Sequence, residues 1–156
     1  MKRKKILAGI VIAGFSGLLI TGGIGLYLIN KPHRDVQSSR TDYFLTESEI
    51  VREYLTEQDA ANEKYLAADG DSKILEIKGE VYRISEDFNG YKVVLLKSEK
   101  DKAGVSATFT SETGKNLEGI QPGDEVIIKG VIRSGASYDE DLDMYLNVIL
   151  EKSDII

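Results

Sequence analysis

The chain has no cysteine and no tryptophan, and it has only two prolines and one histidine in 156 residues. Without cysteine it can form neither a disulfide framework nor a thiolate metal site, and lipoprotein processing is excluded as well. The chain lacks the residues of the usual acyl-transfer active sites, because it has no cysteine and its sole histidine, His33, stands beside an apolar segment. The sequence therefore predicts a protein that is not an enzyme and that uses no cofactor.

Charged residues are distributed unevenly along the chain. Five of the 20 basic residues precede residue 33 and all 26 acidic residues follow it, so the remainder carries 15 basic and 26 acidic groups, a formal net charge of −11. A domain this acidic stays soluble and repels polyanions at long range. The composition therefore counts against nucleic acid as a partner.

A long apolar segment occupies residues 6–29, where 24 consecutive residues carry no charge. Such a segment can cross about 30 Å of hydrocarbon as a helix, whereas the apolar core of a cleaved signal peptide has only about 7–15 residues. The basic tail of residues 1–5 outweighs Lys31 and Arg34 on the other side, which predicts that the N-terminus stays in the cytoplasm. We expect an uncleaved, single-pass signal anchor in the cytoplasmic (inner) membrane, with the rest of the chain extracytoplasmic.

Small residues recur at every fourth position of this segment, namely Gly9, Ala13, Gly17, Thr21 and Gly25. This spacing lets a second transmembrane helix approach closely, so it is one signal for helix pairing. A span rich in glycine and alanine also produces such spacing by chance, and that is the explanation we favour.

Two segments connect the anchor to the folded domain. Residues 30–44 are polar, contain a proline and lack apolar periodicity, which predicts a linker. Residues 45–67 are predicted to form an amphipathic helix packed on a barrel. Thr46 and Glu49 have the spacing of a capping box, and Leu45 and Ile50 that of a hydrophobic staple. Apolar residues then recur at helical spacing along one face: Ile50, Val51, Tyr54, Leu55, Ala61 and Tyr65.

Residues 73–156 have the pattern of a small β-barrel. In the first strand Leu75, Ile77 and Val81 share one face, and Asn89-Gly90 then predicts a two-residue type I′ hairpin turn. Further strands are predicted at residues 91–96, 105–109, 126–130 and 146–150, with a short helical segment in 112–120 and a polar loop over 134–143. Glycines in the first and fourth strands allow sharp bends. The fold class is therefore mainly β, a five-stranded OB-fold barrel, preceded by the amphipathic helix and the transmembrane helix.

Several stretches also resemble a known family. Asn62-Glu63 and Tyr65 ahead of ILEIKGEV, then LEGIQPGDEVIIKGV and a last strand ending in LNVIL, resemble the tRNA_anti-like OB-fold domains, named for their similarity to anticodon-binding domains of tRNA synthetases. The pieces NKPHRDV and LTESEIVREY are similar to members that carry an N-terminal membrane anchor. The resemblance spans residues 31–156 and implies the fold, while its name implies nucleic acid only by analogy.

An OB-fold binds its ligand through its second and third strands and the loops that follow the first and fourth. The candidate binding residues in those places are Tyr91, Lys92, Phe109 and Tyr138, and we expect them to recognise an envelope protein or one of its peptide segments. One alternative is single-stranded nucleic acid, which needs a basic groove with stacking aromatics. The four carboxylates that follow Tyr138 oppose it. The other alternative is a structural spacer domain.

The acidic loop invites a calcium hypothesis. Asp139, Asp141 and Asp143 match the first three ligand positions of an EF-hand loop, which makes them weak metal candidates. Met144 stands where the turn glycine belongs, and Leu150 stands where the last glutamate belongs. This mismatch favours a solvated acidic loop, or a docking surface for a basic partner, and no metal site is predicted.

Overall fold

The computed structural model describes residues 34–156. The basic tail of residues 1–5, the predicted anchor of residues 6–29 with its stripe of small residues, and His33 lie outside the described residues. None of the helices found from residue 34 onward is long and apolar enough to cross a membrane.

The described chain contains eight strands, two α-helices and one short 3-10 helix. The strands are β1 (Tyr43–Thr46), β2 (Ile74–Glu86), β3 (Lys92–Leu96), β4 (Val105–Phe109), β5 (Glu125–Ser134), β6 (Ser137–Asp139), β7 (Met144–Leu146) and β8 (Val148–Ile155). The helices are α1 (Glu47–Thr56), α2 (Gln58–Tyr65) and the 3-10 helix (Thr113–Leu117).

Five of these strands close into a barrel. Their order is β2, β3, β4, β8 and β5, and β5 pairs back with β2. Strands β4 and β8 run parallel, and the other barrel pairs are antiparallel. This is the five-stranded OB-fold barrel that the sequence predicts, with the short helix between the third and fourth barrel strands.

Strand β2 can pair with two neighbours because it is 13 residues long. Its first half pairs with β5 and its second half with β3, and a bulge follows Val81 where the partner changes. Leu75, Ile77 and Val81 are buried in the main core cluster, as their alternation predicts. Gly79 lies between them, just before the strand changes partner.

The predicted helix over residues 45–67 is two helices preceded by a strand. Leu45 belongs to β1, which pairs parallel with β2, and the helical region breaks at Glu57, where φ is −141°. The capping box is confirmed, since the Thr46 side chain accepts from the Glu49 amide and the Glu49 carboxylate accepts from the Thr46 amide.

Aromatic packing accounts for the break in this helix. Tyr54 from α1 and Tyr65 from α2 have ring centroids 6.0 Å apart, and Tyr43 of β1 lies edge-on to Tyr65 at 5.2 Å. Both helices thereby bury a face in one core. Tertiary burial of this kind supplies most of the stability of short helices and here outweighs helix continuity.

The predicted linker of residues 30–44 is packed against the barrel over its described part. Val36 is buried in a small cluster with Ile74 and Val131. The Gln37 side chain donates to the Lys129 carbonyl at 3.3 Å, and Lys129 Nζ donates to the Gln37 carbonyl at 3.1 Å. This stretch is therefore part of the domain.

The turn between β2 and β3 differs from the predicted type I′ form. Of the Asn89-Gly90 pair, only Gly90 has a positive φ, at 81°. The Asp87 amide donates to the Tyr91 carbonyl at 2.9 Å, which leaves a three-residue loop with glycine in the left-handed region. The Asp87 carboxylate accepts from the amides of Asn89 and Tyr91 at 2.8 and 2.9 Å, and so favours this longer turn.

The predicted polar loop of residues 134–143 contains an ordered hairpin. Strands β6 and β7 pair with Tyr138 opposite Tyr145. Leu146, predicted to start the last barrel strand, ends this hairpin instead and is 38% exposed. Asn147 then accepts a hydrogen bond from the Gly104 amide at 2.8 Å, and the last barrel strand begins at Val148.

Candidate binding surface

Phe109, one of the predicted binding residues, is a core residue. Its side chain is 1% exposed and belongs to the main core cluster. Strand β4 alternates strictly, with Val105 and Phe109 inside the barrel while Ser106 and Thr108 face outward. Phe109 also borders the depression that Tyr91 lines, but its near-complete burial leaves little side-chain surface for a partner, and its role in binding stays a prediction.

Tyr91 and Lys92, adjacent in the chain, line different surfaces. Tyr91 is 39% exposed and lines a depression beside the β2–β3 turn. Lys92 starts β3 and lines a separate depression on the side of the 3-10 helix. Its Nζ forms an ion pair with the Glu86 carboxylate at 2.5 Å. The structure therefore places the two residues at different depressions, and their predicted joint role in binding stays a prediction.

Tyr138 lies on the β6–β7 hairpin and is 46% exposed. Its ring centroid is 4.9 Å from that of Tyr145, and its hydroxyl donates to the Asp143 carboxylate. This hydrogen bond raises the pKa of Tyr138. Lys102 lies over the Tyr145 ring at 5.2 Å and donates to its hydroxyl at 3.2 Å. The hairpin is thus an ordered aromatic surface.

Two depressions share the outer face of strands β4 and β8, and together we call them the β4–β8 groove. The first, of about 490 Å³, is lined on this face by Ser106 and Ile149. The second, of about 610 Å³, is lined by Thr108 and Glu151, the next outward residues along each strand. Helix α2 and its C-cap line the first depression, and the β6–β7 hairpin contributes Met144, Tyr145 and Leu146.

No charged side chain lines the first depression. Its polar lining consists of hydroxyls and amides, including those of Gln58 and Asn62, and its apolar lining includes Leu66 and Ile149. Such a mixture offers hydrogen bonds and apolar contacts without a full charge. It suits a neutral chain with a polar backbone and apolar side chains.

The second depression carries charges of both signs, with acidic side chains in the majority. Asp87 is engaged in capping the turn, and Glu151 forms an ion pair with Arg133 at 2.7 Å. Glu112 and Lys152 complete its charged lining. This end of the β4–β8 groove lacks the excess of cations that a phosphate backbone needs.

Sequence reasoning missed several of the lining residues. Ser106 and Ile149 occupy the outward positions between core residues of β4 and β8, so the strand alternation was the signal that could have found them. Asn62 gave no such signal, because its place beside the barrel depends on how α2 docks.

Carboxylates of the acidic loop accept hydrogen bonds from groups within the hairpin itself. The Asp139 carboxylate accepts from the amides of Asp141 and Leu142, both at 3.0 Å, while Asp143 accepts from Tyr138. Within residues 34–156, no group of three or more histidine, cysteine or acidic side chains is arranged to hold a metal ion.

Comparison with known proteins agrees with the barrel. A family model described as tRNA_anti-like matches residues 1–141. The chain belongs to the tRNA_anti-like family. No curated protein matches this tRNA_anti-like chain in sequence.

Two solved structures are similar to this tRNA_anti-like protein. One is a lipoprotein from Klebsiella pneumoniae with a proposed nucleic acid-binding role. Its TM-score is 0.53 and its sequence identity is 15%, and the match covers 79% of this chain and 98% of the lipoprotein chain. At that identity the likeness shows the fold alone. The other is asparaginyl-tRNA synthetase from Entamoeba histolytica, with a TM-score of 0.38, 18% identity, and coverage of 54% of this chain and 21% of that one.

Proposed function

We propose that this protein is a membrane-anchored binding module whose extracytoplasmic OB-fold domain takes up a peptide segment of an envelope protein in the β4–β8 groove. The observation that carries the proposal is the uncharged first depression, set between α2 and the β6–β7 hairpin. The apolar segment of residues 6–29 supports the anchor, and the basic tail before it supports the orientation.

The groove has the parts that a peptide would use. The amides of Gln58 and Asn62 can exchange hydrogen bonds with a peptide backbone, and Ile149 on the strand face offers an apolar contact. Met144 and Leu142 of the hairpin are 49% and 63% exposed, so a partner can bury further apolar area there. Recognition of a neutral peptide backbone needs no cationic side chain, so the uncharged lining of this depression is compatible with it.

Peptide selection tests this proposal. A random twelve-residue peptide library displayed on phage is selected on the full-length protein in an uncharged detergent. Recovered peptides are expected to lose at least about tenfold in affinity for Ile149→Arg, because the arginine would stand in the uncharged depression. The matched control is Ile127→Arg, since Ile127 is 39% exposed on β5 and lies outside the groove.

Four outcomes would contradict the proposal. Equal loss of peptide binding in both variants would show a nonspecific effect of added charge, and equal retention would place the peptide elsewhere. Tight binding of a single-stranded oligothymidylate that Ile149→Arg changes and Ile127→Arg does not would favour the nucleic-acid alternative. Recovery of no peptide that depends on the groove would favour the spacer.

The membrane topology is tested separately. Because the chain has no cysteine, an introduced cysteine is its only thiol. Glu140 is exposed at the tip of the hairpin, so Glu140→Cys provides a single accessible thiol in the full-length protein. A membrane-impermeant maleimide applied to intact cells is expected to label it without lysis. Labelling only after lysis would place the domain in the cytoplasm and overturn the proposed location.

A further inference from the structure

A second groove, which shares no lining residue with the β4–β8 groove, lies where the 3-10 helix meets the β2–β3 hairpin. It has a volume of about 630 Å³, and three cations line it: Arg83 of β2, Lys92 of β3 and Lys115 of the 3-10 helix. We call it the basic groove. Its acidic lining is limited to Glu118.

The cations of the basic groove are only partly neutralised. Lys92 is paired with Glu86, which lies outside the lining. Among the described residues, neither Arg83 nor Lys115 has a side-chain hydrogen bond or an ion pair with another group. Like charges around one depression repel each other, and an anion placed among them would relieve that repulsion.

This concentration of positive charge stands out because the domain is strongly acidic, with 26 acidic and 15 basic residues after residue 32. Some cations elsewhere lie in ion pairs, such as Lys78 with Glu125 at 2.8 Å and Lys64 with Glu53 at 3.0 Å. Two cations without such a partner therefore converge on one groove, and the occupant that complements them is anionic.

The rest of the basic groove is apolar. Leu117 is buried, Ile84 and Ile120 are half-buried, and Pro122 is exposed. An occupant that only carried negative charge would leave this apolar surface unused. A segment that alternates carboxylates with apolar side chains would use both features.

Aromatic stacking of bases is disfavoured in the basic groove. Tyr82 is its sole aromatic lining residue, and Lys97 Nζ already lies over that ring, 5.5 Å from the centroid. Single-stranded nucleic acid is held by successive stacking platforms, which are missing here. A long polyanion would also meet the repulsion of the surrounding acidic domain, whereas a short acidic segment would meet less of it.

We infer that the basic groove binds an acidic peptide segment of a partner protein, with its carboxylates at Arg83 and Lys115 and its apolar side chains over Ile84 and Ile120. This surface is separate from the β4–β8 groove, so the protein would hold two segments at once. Arginine is suited to the role, because its planar guanidinium binds a carboxylate through two parallel hydrogen bonds.

The same phage-displayed twelve-residue library, selected on the full-length protein in an uncharged detergent, tests this inference. One class of recovered peptides is expected to be rich in Asp and Glu alternating with apolar residues. These peptides should bind at least about tenfold more weakly to the double variant Arg83→Gln, Lys115→Gln, and more weakly as salt rises. The matched control is Lys73→Gln, Lys100→Gln, which removes the same charge at exposed positions outside the groove.

The two proposals fail separately. Acidic peptides should still bind Ile149→Arg, and the peptides of the β4–β8 groove should still bind the Arg83→Gln, Lys115→Gln variant. The inference is overturned if no acidic peptides are recovered. It is also overturned if the control variant Lys73→Gln, Lys100→Gln weakens the binding of acidic peptides as much as Arg83→Gln, Lys115→Gln does. It is also overturned if oligothymidylate competes for the basic groove more strongly than the acidic peptides, which would make a phosphate polymer the occupant.

Discussion

The ring of Tyr54 lies against the backbone of Gly135 so closely that a Cβ atom on residue 135 would stand 1.9 Å from Cε1 of the ring. Tyr54 is 1% exposed, and Gly135 connects β5 to the β6–β7 hairpin. This contact seats α1 directly on the chain that leads into the hairpin. It therefore links the packing of the helices to the position of one wall of the β4–β8 groove.

Gly135→Ala is expected to lower the free energy of unfolding by about 1–3 kcal/mol, because the new methyl group forces the buried Tyr54 ring to move. Chemical denaturation measures the change. Gly114→Ala is the control, since a Cβ at residue 114 would lie 3.4 Å from Lys92 Cγ, an ordinary contact, and should change stability by less than about 0.5 kcal/mol. Equal stability of both variants would contradict the packing described for Tyr54.

Phe109→Ala is expected to destabilise the domain by about 3–5 kcal/mol, because it empties a buried aromatic site in the barrel. Tyr91→Ala and Tyr138→Ala remove exposed rings and should each cost less than about 1 kcal/mol. Thermal or urea unfolding of the three variants checks this difference. A stable Phe109→Ala variant would contradict the core role described for Phe109.

Glu47→Gln is expected to stabilise the protein at pH 7 and to have no effect below about pH 4. Burial, together with the charges of Asp101 and Glu125, raises the pKa of Glu47 above 4.5. The folded state therefore binds this proton more tightly than the unfolded state, and stability falls as pH rises through the folded pKa. Melting temperatures at both pH values measure the effect.

Glu49→Gln is the control with the opposite sign. Hydrogen bonds from the Thr46 backbone and side chain lower the pKa of Glu49 below 4.5. Its stabilising effect is present above pH 4.5 and is lost as pH falls through the folded pKa, so this variant should melt lower at pH 7. If Glu47→Gln also melted lower at pH 7, the environment described for Glu47 would be wrong.

Ser153→Ala is expected to leave stability unchanged or to raise it by about 1 kcal/mol. The Ser153 hydroxyl is buried without a hydrogen-bond partner among the described residues, so its removal abolishes a desolvation cost. Thr113→Val provides the contrast, because the Thr113 hydroxyl donates to the Ser153 carbonyl at 2.7 Å. That variant should lose about 1 kcal/mol in urea unfolding. Loss of stability in Ser153→Ala would mean that its hydroxyl has a partner.

The sequence by itself determined the barrel. Period-two alternation identified the five barrel strands, because a strand with one buried face must place every second residue in the core. The start of α1 was also readable, since the capping box of Thr46 and Glu49 is a local interaction over four residues.

Only the tertiary structure decided which residues share a surface. The neighbours Tyr91 and Lys92 line different grooves, and Phe109 fills the core, because position in the alternation and strand partners decide where each side chain lies. The break at Glu57 and the ordered β6–β7 hairpin likewise depend on contacts between residues distant in the chain, such as Tyr54 with Gly135. Local propensity cannot encode such contacts, since burial and close approach arise only when the elements pack together.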